Sequence, residues 1–134
     1  MSKKTGIVIV SHSKDIAQGV VDLISQVATD VPITFSGGTE DGRIGTSFQQ
    51  IKETVDNNAA DTLLGFFDFG SSKMNLEMVG ELSEKNILMC KVPLVEGAYT
   101  AASLLQAGVP FEVVIEQLRE MWTSINKAKH IKRT

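Results

Sequence analysis

The feature that most constrains this chain is an apolar run, Gly6-Ile-Val-Ile-Val10, followed at once by a helix-like pattern. A strand that is apolar at every position must be covered on both faces, as in a parallel sheet. Short β-rich runs and helical stretches alternate along the rest of the sequence, and parallel strands need such helical crossovers. The alternation predicts an α/β fold: a doubly wound, mainly parallel sheet of four to five strands with helices on both faces.

The predicted elements follow from this alternation. Strands are predicted at 6–10, 33–35, 62–68 and 86–90. The first helix is predicted at about 15–28 with a cap at Ser13 or Ser11, and a short second helix is predicted after a cap at Thr46 or Ser47. Three further helices are predicted from 70–72 onward, at about 97–107 and from about 111. The residues that define apolar stripes are Ile16, Val20, Ile24 and Val27 in the first helix, Met74, Met78 and Leu82 in the third, and Val114, Ile115, Leu118, Trp122 and Ile125 in the last.

Length and composition fit one globular domain, predicted to span residues 1–134. The net charge of −3 argues against a partner that is nucleic acid. No apolar run reaches the roughly 18 residues that a membrane span needs, and no signal peptide is recognised. Cys90 is the only cysteine and is interpreted as a core residue. These features predict a cytoplasmic protein that does not bind membranes.

Polar turns follow three of the predicted strands. They are Ser11-His-Ser13 after the first strand, Ser36-Gly-Gly-Thr39 after the second and Asp68-Phe-Gly-Ser-Ser72 after the third. Ligands of open parallel sheets bind at the carboxyl ends of the strands, near the point where the strand order reverses. The three turns are therefore expected to form one site.

His12 and Asp68 are the candidate catalytic pair in these turns. If the third strand lies beside the first, the Asp68 carboxylate reaches one ring nitrogen of His12 and leaves the other as a nucleophile. By position alone, His12 is equally well a loop histidine that bonds the backbone. Asp68 could also cap the next helix, and both roles can hold together because each uses a different lone pair. The other histidine, His130, is interpreted as a cation at a helix C-terminus.

The remaining residues of the turns suit a phosphoryl group, because such groups are held mainly by amide and hydroxyl donors. Helix N-termini in the first and third turns would aim amide groups into the site, and glycines let the backbone approach a ligand. The phosphate-binding candidates are Ser13, Gly38, Thr39, Ser71 and Ser72.

Other chemistries lack their residues in this sequence. There is no GxxxxGK-S/T phosphate loop, no G-x-G-x-x-G in the first turn and no G-x-S-x-G nucleophile elbow. Two histidines and one cysteine predict no metal site. Arg43 and Lys73 are candidates for contact with phosphate or a partner's acidic residues, although solvated surface is the plainer interpretation.

At this point the residues resemble a known family. The stretch Gly6-Ile-Val-Ile-Val-Ser-His-Ser13 is similar to the start of mannose-type enzyme IIA domains of the phosphoenolpyruvate-dependent phosphotransferase system. Three further stretches, 37–47, 68–72 with Asn75, and 93–98, resemble one branch: the phosphotransfer subunit of phosphoenolpyruvate-dependent dihydroxyacetone kinase. The resemblance covers almost the whole chain. Phe69 and Ser72 depart from the Asp-Leu-Gly-Ser-Ala run expected of that branch.

The resemblance implies a phosphotransferase subunit of a multisubunit kinase. His12 would accept a phosphoryl group from the phosphocarrier HPr and pass it to ADP held by the nucleotide-binding subunit, with Asp68 orienting the ring. The chain itself would bind no cofactor besides the phosphoryl group on His12. The resemblance also implies a homodimer, for which the surface around Met121 and Trp122 is a candidate beside ordinary core packing.

Three alternatives stay open. The chain could be a mannose-type enzyme IIA that feeds a sugar permease, which differs from the first hypothesis only in the phosphoryl acceptor. It could be a non-catalytic regulatory module that binds partners through the same turns, or a plain small-molecule binding domain. A phosphoryl adduct on His12 would favour the kinase subunit or the enzyme IIA, and its absence would favour the regulatory module or the small-molecule binding domain.

Overall fold

The structure, a computed structural model, describes residues 4–128, with side chains up to residue 123, so His130 lies outside it. Strands and helices alternate as the sequence predicts. The strands are β1 (Thr5–Ser11), β2 (Ile33–Gly37), β3 (Thr62–Phe67) and β4 (Asn86–Met89). The helices are α1 (Lys14–Ser25), α2 (Phe48–Asp56), α3 (Ser71–Leu82), α4 (Leu94–Gln106) and α5 (Phe111–Ala128).

The described strands form one parallel sheet in the order β2-β1-β3-β4. β1 and β3 are neighbours at its centre, and their register pairs Val10 with Phe67 at the carboxyl ends. From β1 the chain moves outward to β2, and from β3 it moves outward to β4 on the opposite side. The point where the strand order reverses therefore lies between β1 and β3, directly before His12 and Asp68. The predicted doubly wound α/β fold is confirmed.

Helices cover both faces of the sheet and enclose two apolar cores. α1, α4 and α5 pack on one face around Ile7, Ile9 and Phe66, which are fully buried. α2 and α3 pack on the other face around Val8 and Val10. β1 thus has an apolar residue facing each layer in turn, which explains its uninterrupted apolar sequence. Its carboxyl end is held rigidly from both sides.

Two predicted helix boundaries were wrong. α1 ends at Ser25 rather than near residue 28, because the chain tightens there and the Val27 amide bonds to the Ile24 carbonyl three residues back. α4 begins at Leu94, three residues before the predicted start, after Pro93 at the cap position. The buried face of α1 also differs from the prediction: it runs through Ala17, Val20 and Ile24, while Ile16 is 51% exposed.

The predicted apolar stripe of α3 lies on the wrong face. Met74, Met78 and Leu82 are exposed, whereas the buried residues are Ser72, Leu76 and Val79. Ser72 bonds to Asp68, and residues four and seven positions further on face the same way in a helix. The rotation that buries Leu76 and Val79 therefore also brings Ser72 to the site. In α5, Val114 and Leu118 are buried as predicted, Trp122 is 40% exposed, and the side chain of Ile125 lies outside the described residues.

Gly37, the last residue of β2, is packed against the start of α1. A Cβ atom there would lie 2.6 Å from the Lys14 Cα and 2.7 Å from the Ser13 carbonyl oxygen. Because backbone cannot yield as a side chain can, we expect Gly37→Ala to lower the free energy of unfolding by about 1–3 kcal/mol. Urea denaturation measures the change. In Gly19→Ala, where nothing lies within 4 Å, the same measurement should show no loss, and an equal loss in both would contradict this packing.

Candidate active site

The site lies where β1 and β3 end side by side. His12 follows β1 directly, and the Ser13 hydroxyl caps α1 by accepting the amide of Ile16 at 3.3 Å. Asp68 follows β3 directly. The side chains of His12 and Asp68 are 18% and 12% exposed, so the pair is largely buried but still reaches the surface. As the sequence predicts, these two residues lie close together: Nδ1 of His12 is 2.9 Å from Oδ1 of Asp68.

The Asp68 carboxylate accepts five hydrogen bonds. Oδ2 accepts the Ser11 hydroxyl and the His12 amide, both at 2.8 Å. Oδ1 accepts the Phe69 amide and the Ser72 hydroxyl, both at 2.7 Å, besides the contact with Nδ1. Partial burial opposes the charged form, but the hydrogen bonds from Ser72, His12 and Ser11 outweigh it and hold the pKa of Asp68 at about 2. Asp68 is therefore a permanent anion near neutral pH.

The charge of Asp68 fixes the tautomer of the histidine ring. An ionised carboxylate only accepts hydrogen bonds, so Nδ1 of His12 carries the proton that bridges it to Oδ1. In the neutral ring Nε2 then holds a lone pair. Ser71 Oγ lies 2.9 Å from Nε2 and donates to it. The geometry leaves Nε2, which contacts the exposed Ser71, as the ring nitrogen able to attack an electrophile.

A chain of polar side chains links this nucleophile to the glycine-rich loop, residues 37–45. Ser71 Oγ accepts the Thr46 hydroxyl at 2.9 Å, and Thr46 accepts Nδ2 of Asn75 at 2.8 Å. The Gly45 amide donates to the His12 carbonyl at 2.9 Å, with Gly45 at φ 144°. The end of the loop and the first turns of α3 are therefore both anchored at His12.

The structure separates the phosphate-binding candidates into two groups. Ser71 and Ser72 lie at the ring nitrogens of His12, at 2.9 Å and 3.0 Å. The amide of Gly38 donates to the Ser11 carbonyl, and that of Thr39 donates to Arg43 O inside the loop. Together with the capping role of the Ser13 hydroxyl, these bonds occupy the other three candidates. Their part in phosphate binding stays a prediction.

The two candidate contact residues differ in their surroundings. Arg43 is 82% exposed and pairs with Asp41 at 2.8 Å. The hydrogen bond from the Thr39 hydroxyl, together with the bond from Arg43, keeps the pKa of Asp41 below its usual value. Lys73 is half-buried in the first turn of α3. Cys90, interpreted as a core residue, is buried, and this burial raises its pKa to about 12. Its thiol is therefore unreactive.

Sequence reasoning missed several contributors to this site. Ser11 was considered only as a helix cap, yet it is 1% exposed and holds Asp68. Thr46 was likewise considered only as a cap, whereas Ser47 caps α2. Phe69 stacks on the His12 ring, with centroids 4.5 Å apart. The position of Ser11 beside His12 in the sequence could have indicated its place in the site. No sequence pattern indicated the stack of Phe69 on His12 or the contact of Thr46 with Ser71.

The low pKa of Asp68 predicts how stability depends on pH. Its folded-state pKa of about 2 lies below the ordinary value of 3.8, so the charged carboxylate stabilises the fold above that value. This contribution is lost as the pH falls through the window between the two. We expect the difference in urea midpoint between the wild type and Asp68→Asn to shrink from about pH 5 to about pH 2. A constant difference would mean that Asp68 is not ionised in the folded state.

Comparison with known proteins identifies the family. A family model described as PTS system fructose IIA component (EIIA-man) matches residues 6–115. The phosphoryl donor subunit DhaM of PEP-dependent dihydroxyacetone kinase 1 from Listeria innocua is 50% identical over 119 residues, 89% of this chain and 96% of that protein. The phosphotransferase subunit DhaM of PTS-dependent dihydroxyacetone kinase from Lactococcus lactis is 52% identical over 116 residues, 87% and 94% of the two chains.

Solved structures give the same fold. A crystal structure of a protein of unknown function superposes with a TM-score of 0.78 at 27% identity, over 87% of this chain and 94% of that one. A sigma-54 interaction domain protein from Enterococcus faecalis superposes with a TM-score of 0.74 at 12% identity, over 98% and 100%, which shows the fold alone. Within residues 4–128, no helix is long and apolar enough to cross a membrane.

The histidine–aspartate pair at the reversal of a parallel sheet and the family match lead to one conclusion. The chain belongs to the mannose-type enzyme IIA family of the phosphotransferase system. Within that family its sequence places it in the branch of the DhaM phosphotransfer subunits, as the resemblance predicted.

Proposed function

We propose that this chain is the phosphoryl donor subunit of a dihydroxyacetone kinase and carries the phosphoryl group on Nε2 of His12. The observation that carries the proposal is the bond between Nδ1 and the Asp68 carboxylate, which leaves Nε2 as the nucleophile. The identity to DhaM subunits over most of both chains supports the assignment to this kinase. The donor is HPr, and the acceptor is ADP bound to the nucleotide-binding subunit.

The transfer onto this chain needs no proton movement at Nε2. The lone pair attacks phosphorus, an N–P bond forms, and the bond from phosphorus to the donor's nitrogen breaks in line with it. The His12 ring, still protonated at Nδ1, gains positive charge as both nitrogens become substituted. Asp68, 2.9 Å away, stabilises that charge. Passing the group to a terminal oxygen of ADP reverses the change, and the ring departs as a neutral imidazole.

The first turn of α3 supplies donors for the phosphoryl oxygens. The Ser71 hydroxyl, now on Nε2, moves to a phosphoryl oxygen when the N–P bond forms, because phosphorus takes its place. The amide of Ser72 is used by the Phe69 carbonyl, whereas the amides of Ser71 and Lys73 meet no acceptor within the described part of the chain. These two amides point out of a helix N-terminus, which favours an anion there.

The partners follow from the direction of access. Ser71, which contacts Nε2, is exposed at the start of α3, and its hydroxyl accepts that of Thr46 directly after the glycine-rich loop. A donor or acceptor protein that reaches Nε2 therefore covers the start of α3 and this loop. Arg43 and Lys73 are the candidate cations for that contact. The relay works in the cytoplasm, and this chain holds neither nucleotide nor another cofactor itself. The homodimer remains a prediction that light scattering of the purified chain tests.

Stepwise reconstitution tests the proposed function. Incubation with phosphoenolpyruvate, enzyme I and HPr should place one phosphoryl group on the chain. Adding the nucleotide-binding subunit loaded with ADP should then discharge it and form ATP on that subunit, whereas a permease IIB domain should not. Discharge to the IIB domain alone would assign the chain to sugar transport. No phosphorylation under any condition would favour the regulatory module.

A further inference from the structure

The aromatic ring of Phe69 lies flat on the imidazole of His12. The two ring centroids are 4.5 Å apart and the planes meet at 13°, which is an offset stack at its closest usual distance. Phe69 is nevertheless 65% exposed. A phenylalanine that is mostly in water and makes its ring contact with a nucleophile is not placed there by core packing.

The backbone of Phe69 is held by the same carboxylate that holds the histidine. Its amide donates to Oδ1 of Asp68 at 2.7 Å, the oxygen that also contacts Nδ1 of His12. Its carbonyl accepts the Ser72 amide at 3.1 Å, and Gly70 follows with a φ of 50°. Asp68 therefore positions the imidazole in two ways: it contacts Nδ1 directly, and it holds the backbone of Phe69, whose ring covers one face of the imidazole.

These contacts restrain the imidazole in different directions. The contacts with Asp68 and Ser71 hold the two ring nitrogens, and the Phe69 face opposes tilting of the ring toward it. The negative face of a benzene ring also attracts a cation placed over it. Under the proposed function the His12 ring gains positive charge when Nε2 is phosphorylated, so the stack strengthens in that state.

We infer that Phe69 is a positioning residue for phosphoryl transfer, which holds the plane of the His12 ring and stabilises its positively charged phosphorylated form. The inference rests on the proposed function of His12 as a phosphoryl carrier. Phe69 acts through the ring of His12 and makes no contact with the phosphoryl group. Its side chain is exposed enough that replacing it leaves the packed cores unchanged.

Phe69→Leu and Phe69→Tyr test the inference, with Leu23→Met in the last turn of α1, which is 46% exposed and away from the site, as the matched control. Proton NMR of the free protein reads the stack directly: the ring protons of His12 should lie upfield in the wild type and Phe69→Tyr, and move downfield in Phe69→Leu. With phosphorylated HPr as donor, Phe69→Leu should lower kcat about 2- to 10-fold with KM unchanged. Phe69→Tyr and Leu23→Met should keep the wild-type kcat.

Each other outcome overturns the inference in a recognisable way. Unchanged kcat in Phe69→Leu would show that the stack does not serve transfer, and a rise in KM alone would make Phe69 a docking residue. Unchanged ring-proton shifts would show that the stack does not form in solution. If the wild type itself accepts no phosphoryl group, the proposed function fails as well, which separates that result from failure of the role of Phe69 alone.

Discussion

A His12→Ala variant is expected to take up no phosphoryl group from phosphoenolpyruvate, enzyme I and HPr, while the wild type takes up one. In the proposed relay Nε2 of His12 is the nucleophile, while the nearby hydroxyls of Ser71 and Ser72 are bonded to the ring and to Asp68. A serine hydroxyl is a weak nucleophile without a base, and His12 is the base that the variant lacks. Intact mass measured at alkaline pH, before and after brief acid treatment, reads the adduct and its acid lability.

The matched control is His130→Ala, which removes the only other histidine of the chain. It should be phosphorylated as fully as the wild type. The side chain of His12 is 18% exposed and lies at the rim of the sheet, so circular dichroism should show an intact fold in both variants. A full acid-labile adduct on His12→Ala would assign the phosphoryl group to another residue and remove the basis of the proposed relay.

An Asp68→Asn variant is expected to lower the single-turnover rate of phosphoryl uptake by about 100- to 10,000-fold, as loss of the orienting carboxylate does in other histidine-dependent sites. The asparagine amide can donate to Nδ1, which moves the ring proton to Nε2 and removes the attacking lone pair. It also cannot balance the charge that develops on the ring. Rapid-quench kinetics with phosphorylated HPr measure the rate.

Asp56→Asn is the control for this substitution. Asp56 is an exposed carboxylate at the end of α2, and it pairs with Lys52 rather than with the histidine. Its replacement should change the rate less than about twofold, since exposed ion pairs contribute little. Equal rates for Asp68→Asn and the wild type would mean that the tautomer of His12 is set without the carboxylate, and would contradict the proposed mechanism.

Much of the fold and part of the site followed from local sequence patterns. The apolar run of β1 requires cover on both faces, and the alternation of strands and helices then leaves few topologies besides a doubly wound parallel sheet. Polar residues directly after strands all meet at one edge of such a sheet. The proximity of His12 and Asp68 could therefore be predicted, given one assumption: that β3 lies next to β1, as it does.

Other predictions were wrong because periodicity does not tell which apolar stripe of a helix faces inward. In α3 the methionine stripe is exposed, and the stripe of Leu76 and Val79 packs against the sheet on the same face as Ser72. The helix α1 shows the same limitation, since the small Ala17 is buried where Ile16 was expected. In both helices, close contact with the sheet decided the rotation.

The sequence by itself therefore determined the class of fold, the edge that carries the site, and the histidine and carboxylate that define its chemistry. Only the tertiary structure decided the proton position on His12, the contact of Ser71 with Nε2 and the stack of Phe69 on the ring. These features join residues that are 56 to 59 positions apart in the chain. Side-chain rotation and hydrogen-bond geometry between such distant segments depend on packing of the whole domain, which local patterns do not encode.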